Sequence, residues 1–162
     1  MSDTVTLPPE EEVVEEAPVP TRRMLVFVVD GRAFACEMDA FREIVPTRQT
    51  TRLPGAPSSV CGLINLRGTI VTVLDGGICL GRAECMRSGG LILLIDLGQR
   101  LIGLGVDDVK DLHDIPENLF FDAPQEESNS MNGVTASVEI EGERVSVVDI
   151  RSVARQVIGQ GR

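Results

Sequence analysis

Residues 60–75 constrain this chain more tightly than any other stretch. Two mostly apolar runs, Val60–Leu66 and Ile70–Leu74, flank a single cation, Arg67, and a glycine, Gly68, with Asn65 as the one amide. Short runs rich in Ile, Leu and Val and bounded by glycine read as strands of a small barrel. Gly62 and Gly68 mark bends or close backbone approach, as needed where a barrel turns a corner. Arg67 then stands at a strand end beside apolar residues, with five donors and no obvious local carboxylate. It reads as an interaction residue.

The same pattern recurs along the chain. Met24–Val29 and Arg32–Met38 read as strands around an Asp30-Gly31 turn, because glycine tolerates the positive φ of a tight hairpin. Asp39 is placed to cap a short helix running through Ile44 and stopped by Pro46. A loop with Pro54, Gly55 and Pro57 leads into Val60–Leu66, and Gly76-Gly77 closes the unit after Thr69–Asp75. Leu91–Leu97 and Arg100–Val106 form a second hairpin about Gly98-Gln99, and another strand covers Val109–His113. Residues 122–132 read as a polar surface loop. Val134–Ile140 and Arg144–Ile150 pair about Glu141-Gly142, and Arg151–Ile158 has the spacing of a short helix. There is an internal echo: Val28-Val29-Asp30 resembles Leu94-Ile95-Asp96, and Val73-Leu74-Asp75 resembles Val147-Val148-Asp149.

Charge is distributed unevenly. The net charge is −10, yet residues 1–21 hold six acids (Asp3, Glu10, Glu11, Glu12, Glu15, Glu16) and no cation. Residues 22–162 carry the other 19 acids against all 15 bases. The acidic, proline-containing start reads as a disordered tail. The balance disfavours nucleic acid or an anionic membrane as main partner, since both need a basic face. The absence of Trp and Tyr removes most stacking platforms for single strands, so a nucleic-acid-binding small barrel is the weaker alternative.

The N-terminus lacks the cationic start and apolar block of a secretory signal, and no apolar stretch is long enough to span a bilayer. The expected compartment is the cytoplasm, with Cys36, Cys61, Cys79 and Cys85 reduced. Cys79 and Cys85 lack the close spacing of a zinc site, and His113 is the single histidine, so neither metal nor cofactor is expected. No nucleophile motif or phosphate loop occurs, and the chain reads as a non-enzyme.

Gly62-x-x-Asn65-Leu66-Arg67-Gly68, followed by an Ile/Val strand ending in Asp75, closely resembles the signature of the CheW family of bacterial chemosensory adaptors. The resemblance runs from Met24 to about Ile158, through Arg42-Glu43-Ile44, Leu97-Gly98-Gln99-Arg100 and Gly103-x-x-Val106-Asp107-x-Val109. It implies an all-β fold of two intertwined five-stranded SH3-like barrels with short helices, one of them C-terminal. The expected layout is a tail at 1–23, one domain over 24–158 with approximate subdomains 24–82 and 90–150 sharing strands, and a frayed end at 159–162.

The resemblance also implies a scaffold without catalysis or cofactor, coupling the helical tips of chemoreceptors to the CheW-like regulatory domain of a histidine kinase. The protein is then a monomer in isolation that assembles into receptor arrays, serving flagellar chemotaxis or a pilus, gliding or other output. Receptor contact is expected at Phe41, Glu43, Ile44, Asn65, Arg67 and Gly68, and kinase contact at Thr50, Arg52, Leu53, Val60 and Cys61. Arg67 could equally pair within the chain, to Glu43 or Asp75, while Phe41 and Ile44 could simply cover core. The chain departs from the family at Phe41, where an aliphatic residue is common. Thr72 stands where proline is frequent, and Gly76-Gly77 replaces Leu followed by a base.

Overall fold

A computed structural model describes residues 18–85, 90–126 and 133–160, and among these described residues eleven strands form two sheets. The strands are β1 (Thr21–Val29), β2 (Arg32–Glu37), β3 (Glu43–Pro46), β4 (Val60–Leu66), β5 (Thr69–Asp75), β6 (Leu91–Asp96), β7 (Leu101–Val106), β8 (Asp108–Pro116), β9 (Phe120–Asp122), β10 (Val134–Ile140) and β11 (Glu143–Val148). Helix α1 (Gly76–Cys79) follows β5, and helix α2 (Ile150–Gln160) follows β11. One sheet runs β3-β6-β7-β5-β4 and the other β8-β1-β2-β11-β10-β9. The second sheet thus carries a sixth strand, the three-residue β9, paired to the edge of β10.

The two sheets are built alike, and this is the physical content of the internal echo. In each, an antiparallel hairpin (β6–β7 or β1–β2) lies parallel through its second strand to the last strand of another hairpin (β5 or β11). An aspartate at the end of β5 and one just after β11 each cap a helix: Asp75 accepts from Ile78 N–H at 3.0 Å, and Asp149 from Ser152 N–H at 3.1 Å. β1 and β2 belong with β8–β11, so the sheets change over between Glu37 and Glu43 and again between Val106 and Asp108.

Alternation along the strands, interrupted by bulges in β4 and β10, produces three cores. Val45, Ile64, Leu66, Val71, Val73, Ile92 and Leu94 fill one sheet; because edge strands β3 and β4 both contribute, that sheet curls on itself. Met24, Val26, Ala35, Ile115, Val138, Val145 and Val147 fill the other. The intervening residues, including Leu25, Phe27, Phe34, Leu74, Leu93, Ile95 and Leu104, face a central core completed by Ile150, Val153, Ala154 and Val157 of α2. Each fully buried Leu, Ile, Val or Phe side chain among them contributes roughly 1.5–3 kcal/mol.

Three expectations need correction. The first strand begins at Thr21 rather than Met24, because Arg23 pairs with Asp114 at 2.9 Å and Arg22 with Glu37 at 3.1 Å, extending β1. The rest of the expected tail, residues 1–17, lies outside the described residues, as do 161–162. No helix spans Asp39–Ile44: after a single turn at Met38–Ala40, Glu43–Pro46 forms β3 along Leu91–Leu94. Without a side-chain cap, a helix that short does not recover its nucleation cost, whereas edge pairing satisfies the backbone and tolerates Pro46. Gly76 and Gly77 open α1 instead of ending the unit, since a Cβ at Gly77 would sit 1.8 Å from the Ala83 carbonyl.

Candidate functional site

Arg67 and Gly68 form the two-residue turn between β4 and β5, with φ of 51° and 87°. Positive φ at both positions matches the twist of the flanking strands, and the Asn65 side chain fixes the turn by accepting from Gly68 N–H at 2.8 Å. Held this way, the Arg67 guanidinium donates to Glu43 Oε1 at 2.7 Å. Glu43 begins β3, the opposite edge of the sheet, so the pair bridges the seam where the sheet curls. Of the two carboxylates open as partners, Glu43 is the one engaged. Asp75 is buried, serving α1 and Cys85 instead. Glu43, Asn65, Arg67 and Gly68 therefore converge. Phe41 and Ile44 are half-buried against the central core and not carried on a helix.

At the other end of β4, the loop 47–59 folds back on the strand. Thr51 and Leu63 exchange two backbone hydrogen bonds of 2.8 Å, and Thr50 Oγ1 donates to the Cys61 carbonyl at 3.4 Å. This approach is possible only because residue 62 is glycine, where a Cβ would lie 2.4 Å from the Thr51 carbonyl. Thr50, Arg52, Leu53, Val60 and Cys61 all border one depression of about 730 Å³. Ile78 and Glu84 complete its wall, although nothing local in the sequence joins them to it. Leu53 is 42% exposed, which leaves an apolar anchor in reach of a partner.

The cysteines are held as thiols. All four are pushed up to about 12 from an ordinary 9.0, chiefly by burial, with Glu37 adding to the effect on Cys36 and Asp75 on the other three. Cys85 Sγ accepts from Gly77 N–H at 3.3 Å and donates to the Gly105 carbonyl at 3.4 Å, a packing role rather than a reactive one. Between pH 9 and 12 the unfolded chain sheds thiol protons that the folded chain keeps, so stability falls as pH rises through this window. The chain has no Tyr to titrate alongside. Chemical denaturation at about pH 8 and about pH 10.5 is expected to show a lower midpoint at the higher pH; equal midpoints would contradict the burial of these thiols. Among the described residues, no group of three or more His, Cys, Asp or Glu is placed to hold a metal ion. No helix among them is long and apolar enough to cross a membrane.

Known proteins match this geometry and sequence. The model of the CheW-like domain matches residues 23–157. Chemotaxis protein CheW of Rhizobium meliloti (strain 1021) is 30% identical over 134 residues, covering 82% of this chain and 86% of the relative. Chemotaxis protein CheW of Bacillus subtilis (strain 168) is 26% identical over 133 residues, covering 81% and 85%. The crystal structure of the scaffolding protein TtCheW from Thermoanaerobacter tengcongensis superposes with a TM-score of 0.71 over 79% of this chain and 88% of that one. At 22% identity, that last likeness is one of fold. With a family match spanning both sheets and the Arg67 turn, the chain belongs to the CheW-like domain family.

Proposed function

We propose that this protein is a non-catalytic adaptor that holds a chemotaxis-type histidine kinase against the cytoplasmic tip of a chemoreceptor. The observation that carries this reading is the placement of two separate surfaces on one strand. Val60 and Cys61 open β4 at the loop depression, and Asn65 leads into the Arg67 turn at its far end. Seven extended residues separate the two by roughly 20 Å. A rigid element of that length can hold two partners at a set distance without either blocking the other. Thr50, Arg52, Leu53, Val60 and Cys61 take the kinase's CheW-like regulatory domain, an apolar patch with a charged rim. Glu43, Arg67 and the turn behind them take the receptor's helical tip, with Phe41 and Ile44 supporting β3 from the core side. The protein works in the cytoplasm, as a monomer joined into receptor arrays, where repeated weak contacts gain strength through multivalency.

The test is co-elution of the purified chain with the kinase regulatory domain and with a receptor-tip fragment, singly and together. A complex of all three is expected. Leu53→Glu is expected to weaken the kinase arm about tenfold or more, because a charge replaces an exposed apolar anchor. It should leave the receptor arm and the fold intact. Failure of the folded wild-type chain to bind either fragment would overturn the coupling role.

A further inference from the structure

We propose that the acidic N-terminal segment of this chain docks in the groove formed by the loop 53–57, the β6–β7 turn and the last turn of α2. The groove has a volume of about 1020 Å³, with Leu53, Val60, Val157 and Ile158 among its apolar walls. Its two charged lining residues are both cations, Arg100 and Arg155. In a protein of net charge −10, that is a local reversal of sign.

The cations of this groove are also unoccupied. Among the described residues, eight arginines make a hydrogen bond or an ion pair: Arg22, Arg23, Arg32, Arg42, Arg67, Arg82, Arg144 and Arg151. The described cations without such a partner are Arg48, Arg52, Arg100, Lys110 and Arg155. Four of these five border this groove or the adjoining depression, which shares Leu53 and Val60 with it. An apolar floor with a rim of unpaired, exposed arginines suits a segment that alternates carboxylates with small apolar residues.

The chain supplies such a segment itself: Glu10-Glu11-Glu12-Val13-Val14-Glu15-Glu16-Ala17, without a cation. Its point of attachment is favourable. Arg22, next to the start of β1, lines a cleft whose wall also includes Arg155, and Arg155 is part of the groove. The residues preceding Pro18 have a reach of up to about 55 Å when extended, more than enough to pass from that cleft into the groove. Tethering places the segment at an effective concentration on the order of millimolar, so a weak charge-assisted contact suffices. Docking there covers Leu53 and competes with any partner that uses it. The docking itself rests on charge and position alone and does not depend on the coupling role.

The test is a set of amide NMR spectra of the full-length chain. In one variant the five glutamates at 10, 11, 12, 15 and 16 become glutamine, in a second lysine. Because those positions lie outside the groove in sequence, only contact can transmit the change. The amides of Leu53, Gly55, Leu97, Gly98 and Gly159 are expected to shift in both variants. The wild-type chain is expected to show the same shifts at about 0.5 M salt, where screening weakens exposed pairs. Combining the lysine variant with Arg100→Glu and Arg155→Glu is expected to restore contact, which either half alone abolishes. Groove amides unmoved by neutralising the tail would overturn the proposal. So would shifts confined to Pro18–Arg23, or shifts at Arg48–Arg52 without those at Leu97–Gly98. Shifts that depend on protein concentration would assign the groove to a second copy of the chain and overturn it equally.

Discussion

Asp75→Ala is expected to lower the unfolding free energy by about 3 kcal/mol, a large loss for one polar side chain. The carboxylate is 1% exposed and joins three pieces of structure. It ends β5, where Asp75 pairs in parallel with Gly105 of β7. It caps α1 through Ile78 N–H at 3.0 Å, and it accepts from Cys85 N–H at 3.1 and 3.2 Å. Alanine leaves these amides without their acceptor, each at a cost of roughly 1–3 kcal/mol. A single-turn helix cannot survive the loss of its cap, since it has almost no propagation to offset nucleation. For a domain of this size the melting temperature should fall by about 6–12 °C. Asp75→Asn keeps one acceptor oxygen and should lose less. Denaturant titration decides the matter: an alanine variant within about 0.5 kcal/mol of wild type would mean that the segment 76–85 is held by packing alone.

Arg67→Glu is expected to weaken receptor-tip binding by tenfold to a hundredfold, about 1.4–2.7 kcal/mol, while the kinase arm stays unchanged. The substitution sets two carboxylates against each other across the seam and removes the guanidinium fork that a receptor carboxylate would engage. Its effect on folding should stay below about 1 kcal/mol, because the pair is exposed, at 67% and 37% for the two side chains. A charge swap separates the two roles of Arg67. If its sole task is to close the seam with Glu43, Glu43→Arg combined with Arg67→Glu should restore binding. If Arg67 also touches the receptor, the swap rescues the fold but not the affinity. Co-sedimentation of each variant with the receptor fragment, beside a denaturation curve, distinguishes these outcomes; undiminished binding by Arg67→Glu would move the receptor surface elsewhere.

The bounds of β4 and β5 were legible residue for residue, because each is a short, mostly apolar run and the Arg67-Gly68 turn between them is a local signal. β3 was not legible. Four residues are too few to show a period, and their strand geometry comes from Leu91–Leu94, far away in sequence. The same holds for β9, whose three residues become a strand only beside Ala136–Val138. Helix α1 was hidden by its glycines, which suggest a break. They are required because the Gly105 and Ala83 carbonyls occupy the space a Cβ would need.

The candidate surfaces divide in the same way. Thr50, Arg52, Leu53, Val60 and Cys61 could be grouped beforehand because they are near neighbours along the chain. Ile78 and Glu84 reach the same depression only through the path of α1. Arg67 could be singled out as a cation at a strand end, yet its partner could not, with Glu43 and Asp75 both available.

By itself the amino-acid sequence determined the strand grammar, the positive-φ turns, the family signature and the uneven placement of charge. All of these are set by interactions between residues close in the chain. The tertiary structure alone decided that β1 and β2 leave their neighbours to join β8–β11, that Asp75 is buried as a cap while Glu43 takes Arg67, and which arginines remain unpaired. Those outcomes depend on which distant surfaces bury each other. Burial acts on the whole chain at once, and no local pattern encodes it.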